Sequence, residues 1–464
     1  MADAMSQKRL LAWVLLLLWI QPAPAADEKK IDFSEVEKVA AAEMADTNAP
    51  GAAIAVVRGD RVIYSRGFGV ASAETGEPVR PEMLFRLGST TKMFTAAALA
   101  TLAEHGKLRL DEPIGTYVKG LNPKLARVTA HQLLSHTAGI WDEAPMFGPH
   151  DDKALGEGIR AWKDDPCFIE PGRIFSYSNP GYWVAGLVIE EVGGKRYADQ
   201  VSESVFKPLG MSRSTFRPTT AMTYPLAQGH LEAPAGGKPP VLRPAADNAS
   251  GWPAGSMFSS VEELARFVIA FLNEGRIDGQ QALAPAVIAR MSAAQVSLPG
   301  GERQYGYGLG RERLRGAALV EHGGARAGYG SLIRMAPVER VGVITVTNRS
   351  GIGLSRTSEK ALELLLPLEP KADSKPKAEM TMSEPEMDRY RGSYGNNATT
   401  FEILAKEGKL YRKQGGRETQ LAKVGERRVR ASASGPEAVF VAGPDGAIEY
   451  LHVGGHAFKK IGAR

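Results

Sequence analysis

The chain has 464 residues, of which 43% are hydrophobic and 23% are charged, a composition typical of a globular protein with two or three domains. Its formal net charge of +5 is spread out, without a concentrated stripe of lysine and arginine, which argues against nucleic-acid binding. Cys167 is the single cysteine, so an intrachain disulfide is excluded.

The first 25 residues have the pattern of a secretory signal peptide. Lys8-Arg9 precede an apolar run over residues 10–20, and Ala23-Pro24-Ala25 provides small residues for cleavage. The apolar run is too short to cross a bilayer, so we expect no stable membrane span in the mature chain. The protein is therefore predicted to be exported, either to a bacterial periplasm or out of the cell.

Apolar periodicity predicts a mixed region that is mostly helical after residue 89. Residues 31–44 predict an amphipathic helix, and strands 52–57 and 61–68 are joined at the turn signal Gly59-Asp60. Further helices are predicted over 91–105, 130–134, 179–192, 198–205, 261–273 and 285–293. Long Gly/Pro-rich loops over 142–157 and 233–255 are typical of segments that line a site.

A second set of strands completes the main region. Strands are predicted over 305–311, 317–322, 330–335 and 342–347, followed by a helix over 355–366. Short strands over 401–404, 409–413, 437–441 and 448–453 predict a separate antiparallel β module. The predicted organisation is a signal peptide 1–25, a main domain 26–366, a Pro/Lys-rich linker 367–383 and a β module 384–464.

The stretch around Ser89 has the strongest chemical signal. Gly88 precedes the serine, and the almost wholly apolar residues 93–103 predict a helix buried on all sides. Ser89 would lie in its first turn, where free N–H groups and the helix dipole favour an oxyanion. Lys92 follows three residues later, on the same face. Burying an ammonium is costly, whereas a lysine with a lowered pKa can help to deprotonate a serine nucleophile.

Tyr177 and Asn179 form a second motif, in a turn before another apolar helix. A phenol has an ordinary pKa of about 10, so it acts as a base at neutral pH only if a cation lowers that value. We expect Lys92 to supply this charge and a tyrosinate at Tyr177 to accept the Ser89 proton. Asn179 can bind both the lysine and a substrate amide.

His322-Gly323-Gly324-Ala325, at the end of a predicted strand, forms a third motif. The two glycines allow a substrate backbone to lie along the strand edge. The N–H of Ala325, beside that of Ser89, would complete an oxyanion hole with two donors. We expect His322 to be a donor near the polar end of the substrate.

Each short pattern is weak by itself, because this chain contains further copies. The further copies are Ser204 and Ser374 for Ser-x-x-Lys, Tyr394-Gly395-Asn396 for the second motif, and His452-Val453-Gly454 for the third. We interpret them as chance matches. Among the Ser-x-x-Lys copies, only that of Ser89 has a preceding glycine and a buried helix after it. His131 and His136 lack the spacing of a metal pair on a helix, and His136 more simply braces a helix end. No metal or cofactor is predicted.

In this order and context, the three motifs resemble those of the penicillin-recognising serine hydrolases. The resemblance is to the class C β-lactamase branch, with its D-Ala-D-Ala carboxypeptidases, D-aminopeptidases and esterases, and it covers about residues 31–366. It extends to stretches that begin at His131, Pro253, Tyr305 and Thr345. The resemblance implies an α/β (α+β) fold: an antiparallel sheet flanked by helices plus an all-helical lobe, followed by a small C-terminal β-barrel-like module.

The resemblance also implies a role for each motif residue. These roles are the acylated nucleophile (Ser89), the proton-transfer pair (Lys92 and Tyr177), a substrate and lysine contact (Asn179), a substrate-binding strand (His322, Gly323 and Gly324) and the oxyanion-hole N–H groups (Ser89 and Ala325). Class C β-lactamases have Lys-Thr-Gly where this chain has His322-Gly323-Gly324. A neutral histidine binds a carboxylate less firmly than lysine, so such binding should strengthen toward pH 5–6, and efficient penicillin hydrolysis is not expected.

The sequence thus predicts an exported serine hydrolase that forms an acyl-enzyme on Ser89. Its expected substrates are D-amino-acid peptides or small acyl esters, cleaved at an amide or ester bond, including peptidoglycan-derived peptides or β-lactams. Two alternatives stay open: a β-lactamase proper, and a penicillin-binding sensor or scaffold that is acylated without turnover. The loops 142–157 and 233–255 are expected to select the substrate.

Overall fold

The computed structural model describes residues 31–234, 237–371, 379–432 and 435–462. The predicted signal peptide and residues 372–378 of the predicted linker lie outside these ranges. The described chain contains an eight-stranded antiparallel sheet with helices packed on it and a closed eight-stranded barrel. The mixed fold predicted from the sequence is therefore confirmed. The exact domain boundaries stay a prediction.

Helices and strands alternate in the main unit, and strands dominate after residue 390. The helices are α1 (Ser34–Thr47), α2 (Thr91–Glu104), α3 (Ala130–Leu134), α4 (Ala154–Arg160), α5 (Asn179–Gly193), α6 (Tyr197–Val201), α7 (Lys207–Leu209), α8 (Pro218–Ala221), α9 (Trp252–Gly255), α10 (Val261–Leu272), α11 (Pro285–Ser292), α12 (Ser355–Leu365) and α13 (Glu384–Tyr390). A π-helical segment, Ser202–Phe206, joins α6 to α7.

The strands fall into the main sheet, two small ribbons and the barrel. They are β1 (Gly51–Arg58), β2 (Arg61–Gly69), β3 (Phe85–Arg86), β4 (Phe258–Ser259), β5 (Arg276–Ile277), β6 (Gln280–Gln281), β7 (Val296–Ser297), β8 (Gln304–Tyr305), β9 (Gly310–Leu314), β10 (Ala317–Arg326), β11 (Tyr329–Ala336), β12 (Val341–Thr347), β13 (Gly392–Gly395), β14 (Thr400–Lys406), β15 (Lys409–Gln414), β16 (Arg417–Gly425), β17 (Arg428–Arg430), β18 (Glu437–Ala442), β19 (Ile448–Val453) and β20 (His456–Ile461).

The main sheet has the strand order β2-β1-β12-β11-β10-β9-β8-β7. Its central strands β1 and β12 are almost wholly buried, because both faces of the sheet are covered. Successive residues of β1 point to opposite faces. Val56 packs with Val36 of α1 and Leu362 of α12. Val57 belongs to the other core, with Val268 of α10, so the sheet lies between two layers of helix.

Helix α2 lies at the centre of the helical lobe. Every residue from Thr91 to Leu102 is buried, as the apolar composition of this segment predicts. Phe94 packs against Phe206 and Phe267, with ring centroids 5.9 and 4.6 Å apart. Helices α5, α9 and α11 pack around α2. The Ser89 turn therefore lies at the N-terminal end of a helix that has no solvent-facing side.

The predicted strand over 305–311 is interrupted in the structure. Residues 306–309 form a turn between β8 and β9, in which Gly306 N–H donates to Leu309 O. Gly308 has φ +68°, and a Cβ there would lie 2.6 Å from Lys92 O. The turn therefore requires glycine, because it packs directly on the backbone of α2.

The C-terminal barrel runs in order from β13 to β20 and has its own core. Tyr390 stacks on Phe440 at 4.0 Å within that core. The sequence predicts four of its strands and misses β13, β16, β17 and β20. The barrel is not separate from the main unit: Tyr450 and Ala457 pack with Ile169 and Ile174 in one apolar cluster.

None of the helices in the described ranges combines the length and the apolar character needed to cross a bilayer.

Glu43 of α1 is a buried carboxylate that caps the first turn of α12. The residue before α12, Leu354, provides no side-chain cap. Glu43 Oε1 accepts from Arg356 N–H at 3.1 Å, and Oε2 accepts from Thr357 N–H at 2.8 Å and Thr357 Oγ1 at 2.7 Å. One side chain thus satisfies N–H groups that the helix itself leaves without acceptors.

Replacing Glu43 by alanine is expected to lower the free energy of unfolding by about 1–3 kcal/mol, because the buried donors of α12 lose their acceptor. Urea unfolding measures this change. The matched control is Glu35→Ala in the same helix, where the carboxylate is exposed and a change within about 0.5 kcal/mol is expected. Equal effects of both variants would contradict the capping role.

Candidate active site

The turn that contains Ser89 packs directly on strand β10. Gly88 has φ +59°, and a Cβ there would lie 2.6 Å from Ala325 N. A Cβ at Gly324 would in turn lie 1.8 Å from Leu87 O. Both positions require glycine because two backbones are in contact. The first and third sequence motifs are therefore neighbours in space, while the oxyanion-hole role of the Ser89 and Ala325 N–H groups stays a prediction.

Lys92 is fully buried and lies at the centre of the site. Its Nζ is 3.2 Å from Ser89 Oγ, 2.7 Å from Asn179 Oδ1 and 2.7 Å from Ala254 O. Burial lowers the pKa of Lys92 to about 7, against the opposing effect of the Asp142 charge. Above that pH, Lys92 is a neutral amine whose lone pair can accept the Ser89 proton.

The aromatic ring of Tyr177 also lies close to the lysine, with its centroid 4.8 Å from Lys92 Nζ. Burial raises the pKa of Tyr177 well above its ordinary value, although a hydrogen bond with Ser89 acts in the opposite direction. The expectation of a resting tyrosinate is thus contradicted. The reason is that the burial which disfavours the phenolate also removes the proton from the nearby lysine, so the cation is weakened too. Tyr177 is therefore a neutral phenol that can relay a proton.

His136 lies behind Tyr177, a position that the sequence did not predict. Their ring centroids are 4.2 Å apart. His136 Nδ1 accepts from Ser178 N–H at 3.1 Å, and His136 O accepts from Ser176 N–H at 2.8 Å. Burial lowers the pKa of His136 well below its ordinary value, so the ring is neutral. This histidine fixes the turn that presents Tyr177 and Asn179, and through Ser178 it also braces the start of α5, which agrees with its predicted role at a helix end.

His322 also lines the site, but both of its ring nitrogens are bonded within the protein. Nδ1 lies 2.6 Å from Gly323 O and Nε2 lies 3.0 Å from the Tyr305 hydroxyl. Since a carbonyl can only accept, Nδ1 donates and Nε2 accepts from Tyr305, which leaves no N–H for a substrate. Burial lowers the pKa of His322 to about 3. Burial thus opposes the protonation of His322 on which stronger binding of carboxylates at pH 5–6 would depend.

The segment of β10 that carries the third motif has one unpaired edge among the described strands. Strand β9 pairs with β10 only as far as Glu321, opposite Gly310. Beyond that point β10 continues to Arg326 and pairs with β11 alone. Gly323 and Gly324 on this segment line the same cavity as Ser89. An extended substrate backbone could therefore add to this edge, as the sequence predicts, and that role remains a prediction.

The site opens into a cavity of about 850 Å³ whose second wall is the barrel. His452, Gly454, Gly455 and His456 line it opposite Ser89. The hairpin between β19 and β20 meets the Tyr177 turn directly, because Tyr177 N–H donates to Gly455 O at 2.9 Å. His452-Val453-Gly454, interpreted above as a chance copy, is thus part of the cavity wall. In the sequence, the only sign that this hairpin lies at the cavity is the pair Gly454-Gly455 directly before His456.

The geometry brings together all of the residues predicted for the site. No group of three or more His, Cys, Asp or Glu side chains in the described part of the chain could hold a metal ion. Ser204 Oγ, from the second Ser-x-x-Lys copy, donates to Gln200 O inside a helix and does not take part in this arrangement.

A family model described as Beta-lactamase matches residues 36–366. The chain belongs to the beta-lactamase family. It is 29% identical over 328 residues to penicillin-binding protein 4 of Amycolatopsis lactamdurans, covering 68% of this chain and 85% of that protein. The resemblance inferred from the motifs is therefore confirmed.

Two solved structures extend the likeness to nearly the whole chain. SurE matches with a TM-score of 0.75 at 24% identity, over 92% of this chain and 98% of its own, and it has also been solved with D-Leu. The octameric penicillin-binding protein homologue from Pyrococcus abyssi matches with a TM-score of 0.65 at 26% identity, over 93% of this chain and 100% of its own. At this coverage, the likeness includes the barrel as well as the beta-lactamase domain.

The rate of acylation is expected to fall about tenfold per pH unit below the pKa of Lys92, near pH 7, because protonation removes the base from Ser89. Above that value the rate should be flat. The measurement is the burst phase with p-nitrophenyl acetate between roughly pH 5 and 10, corrected for spontaneous hydrolysis of the ester. A rate that keeps rising toward pH 10 would instead assign the base to the Tyr177 phenolate.

Proposed function

We propose that this member of the beta-lactamase family is an exported serine hydrolase that forms an acyl-enzyme on Ser89. The proposed substrates are D-amino-acid peptides or small acyl esters, cleaved at an amide or ester bond. The observation that carries the proposal is the buried Lys92 amine, 3.2 Å from Ser89 Oγ and with its pKa lowered to about 7. A buried lysine bonded to a serine is costly for stability and useful for nucleophilic catalysis.

In the proposed acylation step, Ser89 Oγ attacks the substrate carbonyl carbon while its proton passes to Lys92, directly or through the Tyr177 hydroxyl. The carbonyl oxygen becomes an oxyanion that accepts from the Ser89 and Ala325 N–H groups. The C–N or C–O bond then breaks, and the leaving group takes the proton back through the same pair. A water molecule repeats these steps on the acyl-enzyme, which releases the acid and restores Ser89.

The charges around the cavity favour substrates without a carboxylate next to the scissile bond. His322 is neutral and takes the place of a lysine. Arg303 is the one cation among the described residues that line the cavity, and it is largely exposed and lies 3.4 Å from Glu321. An exposed and already paired cation contributes little to binding an anion. This argues for esters and peptides with a neutral acyl part over penicillins.

The remaining parts of the proposal have separate support. Export rests on the signal-peptide pattern of residues 1–25. A peptide substrate is supported by the unpaired edge of β10 beside Ser89. Penicillin recognition appears in the names of relatives, so β-lactams belong among the compounds to test.

Replacing Ser89 by alanine is expected to reduce turnover of p-nitrophenyl acetate by about a thousandfold or more, because the nucleophile is removed. Mass spectrometry should detect an acyl group on the peptide that contains Ser89 in the parent protein and not in the variant. Ser204→Ala is the matched control, because Ser204 also begins a Ser-x-x-Lys pattern, and it should keep full activity. Unchanged turnover in Ser89→Ala would exclude the proposed nucleophile.

A substrate panel separates the proposed activity from its alternatives. Turnover is expected for p-nitrophenyl esters and N-acetyl-D-amino-acid p-nitroanilides, whose acyl parts are neutral. At least about tenfold lower kcat/KM is expected for nitrocefin, because the described lining of the cavity offers no buried cation to its carboxylate. Faster turnover of nitrocefin than of the esters would identify a β-lactamase proper. A stable penicilloyl adduct on Ser89, with no turnover of any compound, would identify a sensor.

A further inference from the structure

Asp142 and His456 form a contact that neither the motifs nor the family assignment explains. Asp142 lies in the loop before α4, and its side chain is only 15% exposed. Its Oδ1 accepts from Asn179 N–H at 2.7 Å and from Asn179 Nδ2 at 3.0 Å. Its Oδ2 lies 3.0 Å from His456 Nε2, at the start of barrel strand β20. An unbroken set of hydrogen bonds therefore joins the barrel to Asn179.

The same set of bonds continues to the lysine that is bonded to Ser89. Asn179 Oδ1 accepts from Lys92 Nζ at 2.7 Å. An asparagine amide can bind in either of two orientations, and only one of them presents its oxygen to Lys92. A carboxylate only accepts, so Asp142 attracts the NH₂ group of Asn179 and directs the oxygen toward Lys92. The Asp142 carboxylate therefore fixes the orientation of Asn179.

His456 provides the hydrogen bond that keeps Asp142 ionised and in place. Burial alone would raise the pKa of Asp142, and the bonds from His456 and Asn179 reverse this, so that the pKa lies below its ordinary value. His456 is the first residue of β20 and directly follows the hairpin that joins β19 to β20. That hairpin also accepts the Tyr177 N–H at Gly455 O. One barrel segment thus contacts Tyr177 directly and is connected to Lys92 through Asp142 and Asn179.

We propose that Asp142 and His456 are a positioning pair through which the C-terminal barrel aligns Asn179, and through it Lys92, with Ser89. The barrel is then a working part of the active site. This inference rests on the proposed function, because the alignment matters for the transfer of the Ser89 proton to Lys92.

Asp142 has a second effect on Lys92, through its charge. The groups that act on Lys92 from the surrounding elements are the Asp142 carboxylate, the imidazoles of His136 and His322, and the rings of Tyr177 and Tyr182. Asp142 is the anion in this group, and its charge opposes the lowering of the Lys92 pKa by burial. Neutralising Asp142 should therefore move the titration of Lys92 to a lower pH.

The test uses the full-length protein and four variants: Asp142→Asn, His456→Ala, His456→Gln and Glu449→Gln. His456→Ala should lower kcat by about 10- to 100-fold with little change in KM, because the lysine is misaligned rather than the substrate released. His456→Gln retains an N–H donor for Asp142 and should restore most of the lost kcat. Glu449→Gln, which neutralises the barrel carboxylate that lies 2.8 Å from Arg173, is the matched control and should behave as the parent.

The second measurement is independent of turnover. In protein labelled with ¹³Cε-lysine, the NMR signal of Lys92 is assigned by its loss in Lys92→Arg and is followed against pH. Asp142→Asn should shift this titration, and with it the acidic limb of the burst-phase profile, to lower pH. A purely structural role would lower the plateau and leave the titration unchanged.

Three results would overturn the positioning pair: parent-like kcat in His456→Ala, equal loss in His456→Ala and His456→Gln, or an unshifted Lys92 titration in Asp142→Asn. If His456→Ala does not fold, as shown by thermal unfolding, the Gln and Asn variants still decide the matter. The proposed function fails by a different result, since the parent would then lack turnover that depends on Ser89.

Discussion

The burial of the Lys92 amine is the interaction on which the site depends. An amine in the core needs acceptors for its hydrogens, because leaving them unpaired costs more than the hydrogen bonds return. Its partners come from three different elements: the turn of Ser89, the first residue of α5 (Asn179) and the third residue of α9 (Ala254). All three must be within about 3 Å of one atom, so α2, α5 and α9 can pack in only one arrangement. The close backbone contact at Gly308 is part of the same arrangement.

The same burial determines the charge state of the whole cluster. Burial lowers the pKa of Lys92 to about 7, raises the pKa of Tyr177 so that it stays a phenol, and lowers the pKa of His322 so that it stays neutral. In the proposed mechanism, proton transfer takes place between groups that start neutral, and the ionised Asp142 is held at one edge by His456. A charged substrate group placed in this cluster would lose its hydration without gaining an ion pair. The proposed preference for neutral acyl groups and the proposed proton-transfer chemistry thus have one cause.

Sequence patterns predict those parts of the fold and site that depend on local spacing. Ser89 and Lys92 are three residues apart on a helix, and the apolar residues that follow make burial of α2 predictable. The sign of the Tyr177 pKa shift was not predictable, because it sums contributions from residues distant in the chain. Asp142 and His456 are 314 residues apart, and such contacts leave no periodic signal. The break between β8 and β9 was missed for a related reason, since Gly308 is required by contact with α2 rather than by its own strand.

The barrel illustrates why a domain that looks independent in sequence need not be independent in function. Its ion pair to the main unit, Arg173 with Glu449, is partly exposed and adds little stability. The specific contacts are made instead by the backbone at the cavity, where Gly455 O accepts from Tyr177 N–H and Ala457 N–H donates to Ser176 Oγ. Gly455 has φ +84°, a conformation that favours glycine. These contacts lie at the residues that present Tyr177, so a change in the docking of the barrel would also move the side chain proposed to relay the proton. Residues 36–366, which match the family model, therefore enclose the cavity of the candidate active site only together with the barrel.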